Sequence, residues 1–417
     1  NETHSKAPIT STSNPISNQA FTSAYKQKLA VLPFQNRNKD EDSGFLVDGI
    51  VEDLITEFSM IRELEIISRQ TCFDFREKKM DLQSFVQQFS VDYIVSGSIR
   101  SSGKRVRISV ELSEAQAGKV VWSKKYDRIL DDIFDVQDEI VRRISIALIG
   151  EIELSSLQRA KRKPTSNITS YEYLLRGKEL HHRFEKEANT QALKMFDRAI
   201  EADPTNAQAY AWKACAIGQG LSRGYLQGDI NEIWTEAENC LEKAKELDDN
   251  DFEVHRLLAE VNLGQKNFKA AEKHARNCYK VVPNDPRVLS VYGEVLVRTG
   301  QVDRGLEALE RAYELDPIAQ GKTSSDHRYS AVLFGNFMAR NKDMCLKIIN
   351  ELESIDLRSW VLTAKLCDDE EYEYKNEKWF LDGKKEFVDK NWQEEIERFK
   401  LNNDSATQAL IEFADRL

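Results

Sequence analysis

Two adjacent histidines and a nearby carboxylate are the first candidates for chemistry in this chain of 417 residues. His181 and His182 precede Glu185, and imidazole with carboxylate is a ligand set for zinc. The segment lacks the His-Glu-x-x-His spacing that places two rings on one helix face, and the other histidines are isolated. We therefore interpret the two histidines as a solvated helix end and predict no metal site.

Adjacent carboxylates are the second candidates, because two acids that share a site can divide the acid and base roles of catalysis. Glu52-Asp53 and Asp138-Glu139 are such pairs. Both lie on the polar side of segments with helical apolar spacing, so we predict a capping or surface role for them. The scattered histidines support no Ser/His/Asp arrangement. The chain is therefore expected not to be an enzyme.

The glycine-rich segment 218–228 resembles a phosphate-binding loop in composition alone. It follows a predicted helix instead of a strand, and no Lys-Ser/Thr pair follows its glycines. The sequence therefore predicts neither a nucleotide site nor any other cofactor.

Composition points to a soluble, helix-rich protein with real cores: 41% of the residues are hydrophobic, 31% are charged, and the net charge is −11. This balance argues against a nucleic-acid-binding surface over the whole chain, because phosphate binding needs clustered Lys and Arg. The basic run 159–163 is interpreted as a solvated linker. No apolar run reaches the length of a membrane span. Because the chain begins with Asn1 and no signal peptide is visible, we expect a processed form or a fragment.

Six cysteines are scattered without metal-ligand or paired spacing. They are Cys72, Cys215, Cys240, Cys278, Cys345 and Cys367. Three of them fall at or beside small or apolar packing positions, so buried free thiols are expected.

The first part of the chain alternates strand and helix patterns in the order β-α-β-α-β-β-β-α. The strands are expected at 28–34, 64–68, 93–99, 106–112 and 120–126, and the helices at 45–58, 81–89 and 132–148. Asp42 or Ser43 is expected to cap the first helix and Asp81 the second. This order predicts an α+β domain, a small mixed sheet with helices packed against it.

A 34-residue period follows in the second part. Pro283 and Pro317 are 34 residues apart, and small residues recur with them at Ala259 and Gly293 and at Ala271 and Gly305. Small residues let two helix backbones approach closely, and proline ends a helix because it cannot donate the next hydrogen bond. These positions resemble the tetratricopeptide repeat. The resemblance implies an all-α superhelix of helical hairpins.

Four to five hairpins are expected in total. The second hairpin carries eleven extra residues around the glycine-rich segment, which we interpret as a longer turn or as a functional loop. We expect a fifth, divergent hairpin at 329–352 and a helical region that caps the superhelix at its end. The predicted organisation is a linker at 1–27, an α/β domain at 28–150, a linker at 151–169, repeats at 170–353 and a cap at 354–417.

Several blocks of the α/β part resemble the TolB amino-terminal-like domain. They are Leu-Ala-Val-Leu-Pro-Phe at 29–34, the helix block at 45–56, and the blocks at 92–100, 120–128 and 132–140. In bacteria such a domain followed by tetratricopeptide repeats is found in the carboxy-terminal half of class III adenylate or guanylate cyclases and of membrane-integrated winged-helix transcription regulators. The resemblance implies a regulatory part whose effector lies elsewhere in the parent protein.

The repeat resemblance also implies a concave groove lined by the first helices, in which a protein or peptide is bound. The matching positions are Tyr171, Lys178, His181, Gln208, Glu253, Arg256, Glu260, Arg287, Ser290 and Glu294. Glu260 and Glu294 stand where a clamp for a terminal carboxylate would need amides, so a mixed-charge segment is the expected ligand. The alternative is that Arg256 pairs with Glu253 and Glu260 within its helix and only solubilises the face.

The sequence therefore predicts a regulatory and protein-interaction module, as part of a class III cyclase. The alternatives are the sensor part of a membrane-integrated transcription regulator and a small-molecule receptor with a pocket beside Asp48, Gly49 and Arg69. A homodimer through the α/β domain is a further possibility. A single-span parent would place this part in the periplasm, which is favoured, and a soluble parent would place it in the cytoplasm.

Overall fold

The structure of the protein is a computed structural model. It describes residues 27–38, 44–61, 64–78, 80–102, 105–149, 167–316, 322–352, 354–387 and 390–417, with the side chains of 145–149, 168 and 322–327 left out. The predicted linkers 1–27 and 151–169 lie outside the described residues except for Gln27, which begins β1, and 167–169, where α5 begins. The basic run 159–163, Pro317 and the cap candidates Asp42 and Ser43 also lie outside them.

The first part is built on one mixed sheet. Its strands are β1 (Gln27–Val31), β2 (Gln35–Asn36), β3 (Leu64–Ile66), β4 (Tyr93–Ser102), β5 (Arg105–Glu114) and β6 (Val120–Ile129). The main order is β3-β1-β4-β5-β6, with β2 paired to β4. β1 is parallel to β3 and to β4. β5 is antiparallel to β4 and to β6. The predicted small mixed sheet is confirmed.

Four helices accompany this sheet: α1 (Gly44–Ser59), α2 (Arg69–Glu77), α3 (Leu82–Phe89) and α4 (Ile133–Ile149). Asp81 caps α3 as expected, since its side chain accepts from Ser84 N. The sequence prediction missed β2 and α2. A strand was expected to extend to Ser68, but Ser68 accepts from Thr71 N and begins α2.

The second part is a row of antiparallel helical hairpins. They are α5 (Ile168–His181) with α6 (Lys186–Ala202), α7 (Ala207–Ser222) with α8 (Ile230–Leu247), α9 (Phe252–Gly264) with α10 (Phe268–Val281), α11 (Pro286–Arg298) with α12 (Val302–Leu315), and α13 (Lys322–Met338) with α14 (Lys342–Glu351). A Cβ atom on Gly293 would lie 2.7 Å from the Gly305 carbonyl oxygen. The predicted close approach of backbones, and with it the tetratricopeptide-repeat superhelix, is confirmed.

The extra residues of the second hairpin mostly lengthen its helices. Gly218 and Gly220 lie within α7, and a short connection of 223–229 leads into α8. The Tyr225 hydroxyl donates to the Phe184 carbonyl oxygen at 2.5 Å and fixes this connection to the first hairpin. The expectation of a longer loop was therefore wrong for the first half of the segment, because residues 218–222 continue the helix.

The chain ends in four shorter helices, α15 (Leu357–Asp369), α16 (Lys378–Phe387), α17 (Trp392–Glu397) and α18 (Asp404–Ala414). Trp360 lies at the centre of their core, and its indole Nε1 donates to the Phe380 carbonyl oxygen at 3.1 Å. They share one hydrophobic core with α13 and α14. These helices occupy the region 354–417, for which a helical cap was predicted.

The α/β part packs against α5, against α12 and against the connection before α11. The Asn284 side-chain amide donates to the Ile61 carbonyl oxygen at 2.6 Å, and Ser68 N donates to the Leu315 carbonyl oxygen at 2.9 Å. An ion pair joins Arg311 to Glu65. Several hairpins of the superhelix therefore hold the α/β part in place. Among the described helices, none is long and apolar enough to cross a membrane.

Candidate functional site

A cavity of about 610 Å³ lies between the α/β part and the repeats. One wall is formed by α1, the end of β3 and the start of α2. The opposite wall is formed by α7, α9, α11 and the helices that follow, with the end of α5 beside them. Its size falls within the range of small-molecule sites, and junctions between domains are common places for such sites. It is the candidate functional site.

Glu52 of α1 is the polar contact at one end of this junction. Its carboxylate lies 3.3 Å from Lys178 Nζ, 2.9 Å from Arg69 Nε and 3.2 Å from His182 Nε2. Burial alone would raise the pKa of Glu52, but Lys178, His182 and Arg69 hold it well below its usual range. Glu52 is therefore an ionised, buried anion in contact with the repeats. The expectation of a surface role for the Glu52-Asp53 pair was wrong.

Asp53 and Tyr171 form the neighbouring contact. The Tyr171 hydroxyl donates to Asp53 Oδ2 at 2.6 Å, and Lys178 Nζ lies 3.5 Å from Asp53 Oδ1. Burial, helped by Asp53, raises the pKa of Tyr171 well above its usual value, so the phenol keeps its proton. Two predicted groove residues, Tyr171 and Lys178, thus bind the acid pair of the same chain.

His181 and His182 pack around Trp212 instead of facing solvent. The ring centroids lie 5.5 and 5.7 Å from the indole. Burial lowers the pKa of His181 to about 3 and that of His182 to about 4, with neighbouring charge adding to the effect. Both rings are neutral at pH 7. The prediction of a solvated helix end was wrong, because the α/β part covers this end of α5.

Glu253 links two helices of the concave face. It accepts from Arg256 Nη2 at 2.5 Å and from Arg287 Nη1 at 3.3 Å. Arg256 Nη1 donates to Glu260 at 2.6 Å, and Arg287 Nη2 donates to Asp285 at 2.7 Å. The intrahelical pairs considered from the sequence are formed, but they belong to a network that also crosses to the next hairpin.

A second network lies further along the superhelix. Arg328 donates to Asp316 Oδ2 and, through Nη1, to Ser290 Oγ at 2.6 Å. Arg298 Nη1 donates to Glu294 Oε2 at 2.7 Å, and Arg358 Nη1 lies 3.6 Å from Glu294 Oε1. Both Ser290 and Glu294 line the cavity.

The predicted groove residues do not form one site. Six of them line the cavity: His181, Arg256, Glu260, Arg287, Ser290 and Glu294. Tyr171 and Lys178 hold α1, and Glu253 supports Arg256 and Arg287 from behind. Gln208 donates to Asp251 and accepts from Trp212 Nε1 at 3.2 Å, so it connects neighbouring hairpins.

Sequence reasoning missed Arg298, Arg328 and Arg358, which stand one helix turn or one hairpin beyond the positions carried over from the repeat pattern. Their sequence signal is weak, because the repeat spacing becomes irregular after residue 317. Of the three residues beside which a small-molecule pocket was considered, Arg69 lines the cavity, whereas Asp48 and Gly49 do not. Asp48 pairs with Arg76 at 2.7 Å, and the position of a Cβ on Gly49 is filled by Leu175.

No group of three or more His, Cys, Asp or Glu side chains among the described residues has a metal-binding arrangement. The six cysteines are free thiols, five buried and Cys215 partly so. The prediction of free thiols is confirmed.

Comparison with known proteins gives two sequence matches. Residues 25–144 match the family described as "HilA/YgeH-like transcriptional regulator, second domain". "Putative adenylate cyclase 3" of Rhizobium meliloti (strain 1021) is 30% identical over 235 residues, which are 56% of this chain and 40% of that relative. The chain thus spans less than half the length of this curated relative.

Solved structures with related helical arrangements include pilF of Pseudomonas aeruginosa, at 16% identity and a TM-score of 0.40, over 54% of this chain and 94% of that one. YrrB, described as a tetratricopeptide-repeat protein with an unusual peptide-binding site, is 17% identical with a TM-score of 0.31, over 52% of this chain and 92% of that one.

Proposed function

We propose that this chain is the non-catalytic regulatory module of a larger signalling protein. The contact of Glu52 and Asp53 with Tyr171 and Lys178 carries the proposal. It fills part of the concave face, the surface with which such superhelices bind partners, with a helix of the same chain. The module has a closed form, and separation of the α/β part, whose core contains α1, from the repeats would create an open form with a free groove.

The partner of the open form is a protein or peptide segment that resembles α1. Lys178 and Tyr171 offer a cation and a hydroxyl donor, which suit a helix with two adjacent carboxylates. Such a segment competes with α1 for the groove, and its differential affinity for the open form sets how far the equilibrium shifts.

The effector we favour is a class III adenylate or guanylate cyclase domain in the parent protein. The relative named as an adenylate cyclase supports this choice, and so do the sequence blocks that resemble the TolB amino-terminal-like domain. We further propose that the α/β part brings two copies together, because class III cyclase activity belongs to paired catalytic domains.

The second candidate is the sensor part of a transcription regulator, on the periplasmic side of a membrane. It is supported by the match of residues 25–144 to a domain of a transcriptional regulator family. In this case α1 and the groove have the same regulatory role, but the effector binds DNA instead of making a cyclic nucleotide.

The test uses the natural full-length protein and measures cyclic nucleotide formation. Lys178→Met removes the cation that pairs with Glu52 and Asp53, so it should open the module and change the basal rate several-fold. Lys213→Met is the matched control, because Lys213 also pairs with two carboxylates, Asp197 and Glu236, but away from α1.

An equal effect of the two substitutions would overturn the role of the α1 contact. A full-length protein without cyclase activity that binds DNA would replace the first candidate by the second.

A further inference from the structure

We propose that the cavity between the two parts binds a small organic anion, a carboxylate or a phosphate ester, with its charged group at Arg298 and Arg358. Binding itself does not depend on the proposed regulatory role. Control of the closed form by this anion does rest on that role.

The first observation is an excess of positive charge in the cavity wall. Eight Arg and Lys side chains line it, against five Asp and Glu side chains. Glu253, which lies behind Arg256 and Arg287, adds a sixth carboxylate to the surroundings. Glu394 and Glu395 likewise pair with Arg398 from outside the wall. His181 and His182 do not change the balance at neutral pH, since both are neutral. The side chains that line the cavity are therefore cationic in sum, but the charges of Arg256, Arg287 and Arg398 are compensated by acids behind them, and an anion is attracted where this compensation is lacking.

The excess is concentrated at one end. Arg298 and Arg358 share the single carboxylate of Glu294, at 2.7 and 3.6 Å. Both guanidinium groups also lie over the ring of Phe334, at 4.4 and 5.3 Å from its centroid. Arg328, by contrast, forms an ion pair with Asp316, and no other Arg or Lys among the described residues pairs with this carboxylate. Two guanidinium groups thus share one carboxylate, so one further negative charge would balance them.

The second observation is an unused donor. Arg298 is 7% exposed, and its Nε is buried without a hydrogen-bond acceptor among the described residues. Arg358 Nη1 is too far from Glu294 for a hydrogen bond. A buried donor without an acceptor is costly. A carboxylate or phosphate could accept from both guanidinium groups with separate oxygens, which is the geometry in which arginine binds such anions best.

Arg358 lies close enough to Arg298 for the two positive charges to repel each other. Burial and the neighbouring Arg358 lower the pKa of Arg298, and Glu294 opposes this change. A bound anion would relieve the repulsion between the two arginines. Lys400 stands beside them, next to Phe399, whose carbonyl oxygen accepts from Arg298 Nη2 at 3.2 Å.

The remainder of the cavity explains why the ligand is organic. Val291 and Ala331 line it near the arginines, and Ile55, Leu263 and Trp212 line it elsewhere. These side chains favour an apolar body attached to the charged group. A volume of about 610 Å³ admits a small molecule and excludes a folded domain. The ligand would touch α1 on one side and the repeats on the other, so its binding would stabilise the closed form.

The test is isothermal titration calorimetry of the purified chain at constant ionic strength. The probes are hexanoate, phenyl phosphate, inorganic phosphate, tetraglutamate and the neutral 1-hexanol. Hexanoate or phenyl phosphate should bind at one site per chain, at least tenfold more tightly than 1-hexanol.

Arg358→Gln should weaken this binding about tenfold or more, since it removes a charged hydrogen-bond donor. Its amide can still donate to Ser330, to which Arg358 donates in the native chain. Lys400→Gln, a milder change near the surface, should weaken binding several-fold. Arg340→Gln is the control, because Arg340 pairs with Asp369 on the outside and is not part of the cavity wall.

The proposal is overturned if no organic anion binds saturably, or if Arg340→Gln weakens binding as much as Arg358→Gln. Binding of tetraglutamate alone would also overturn it and would assign the cavity to an acidic peptide. Failure of the cyclase assay leaves these results unaffected, so the two proposals fail separately.

Discussion

At the scale of single residues, the buried pair of His255 and His274 shows how burial fixes a charge state. Their Nδ1 atoms are 2.9 Å apart, and His255 Nε2 lies 2.9 Å from the Asp249 carbonyl oxygen. A carbonyl only accepts, so His255 carries its proton on Nε2, and His274 must donate from Nδ1. A second proton on His255 would occupy Nδ1 and remove the acceptor for His274. Burial, with His255 next to it, lowers the pKa of His274 to about 4.

This pair predicts acid sensitivity. The folded pKa of His274 lies below the unfolded value of about 6.5. Between these two pH values the unfolded chain therefore binds a proton at His274 that the folded chain does not bind. Stability is therefore complete above about pH 6.5 and falls as the pH drops toward 4. One such histidine costs about 2 kcal/mol at pH 5. His274→Asn, which keeps a donor for His255, should reduce the loss of unfolding free energy between pH 7 and 5 by roughly 1 to 2 kcal/mol.

Urea unfolding at the two pH values measures this difference. Lys269→Gln, at an exposed position of α10 five residues before His274, should keep the native pH dependence. An unchanged pH dependence in His274→Asn would show that the pair does not contribute.

At the scale of elements, helix pairing in the fourth hairpin depends on two glycines. A Cβ on Gly305 would lie 2.7 Å from Val297 N and 2.8 Å from the Gly293 carbonyl oxygen. Both are backbone atoms, so neither can move without displacing a helix. Gly218 in the middle of α7 has no atom within 4 Å of its Cβ position.

Opposite effects are expected from the same substitution at these two positions. Gly305→Ala should destabilise the chain by about 3 kcal/mol, because it forces α11 and α12 apart. Gly218→Ala should stabilise it by about 0.5 to 1 kcal/mol, because alanine loses less backbone entropy in a helix. Thermal or urea unfolding of both variants measures these changes in stability. A Gly305→Ala variant with the native stability would contradict the close packing of α11 on α12.

Most elements were predictable, because their apolar periods and caps are local. The helix at 44–59, the three long strands and the hairpins with 34-residue spacing all follow from neighbours in sequence. α2 was missed because a single serine turns an extended segment into a helix start. Of the candidate site, only residues that the repeats contribute could be predicted. Glu52 and Lys178 are 126 residues apart, and no local pattern reveals that they meet.

At the scale of the whole molecule, the sheet is bounded on one side by β6. Val120 and Val121 are 47% and 45% exposed there, and β6 has one sheet neighbour among the described strands. An exposed edge strand with apolar side chains is a surface on which another strand can pair. We expect the proposed homodimer to use this edge.

Light scattering over a range of concentrations tests the dimer. The native chain should approach twice its monomer mass of 48.0 kDa. Val121→Lys should shift the equilibrium toward the monomer by at least tenfold in dissociation constant. Ile230→Lys is the control, since Ile230 is 70% exposed on α8, away from the sheet. A native chain that stays monomeric at all concentrations would show that the proposed homodimer is wrong.

The contact between Ser68 and Asp316 also has a consequence for biosynthesis. The two residues are 248 positions apart. At about 5 to 20 residues per second, a ribosome needs roughly 10 to 50 seconds to proceed from the first to the second. In the first part of that interval the nascent α/β part exposes Glu52 and Asp53 to water, because α5, which carries Tyr171 and Lys178, is still being made. On a polysome, the acid pair of one growing chain can meet the finished repeats of the chain ahead of it, which is a route to exchanged dimers.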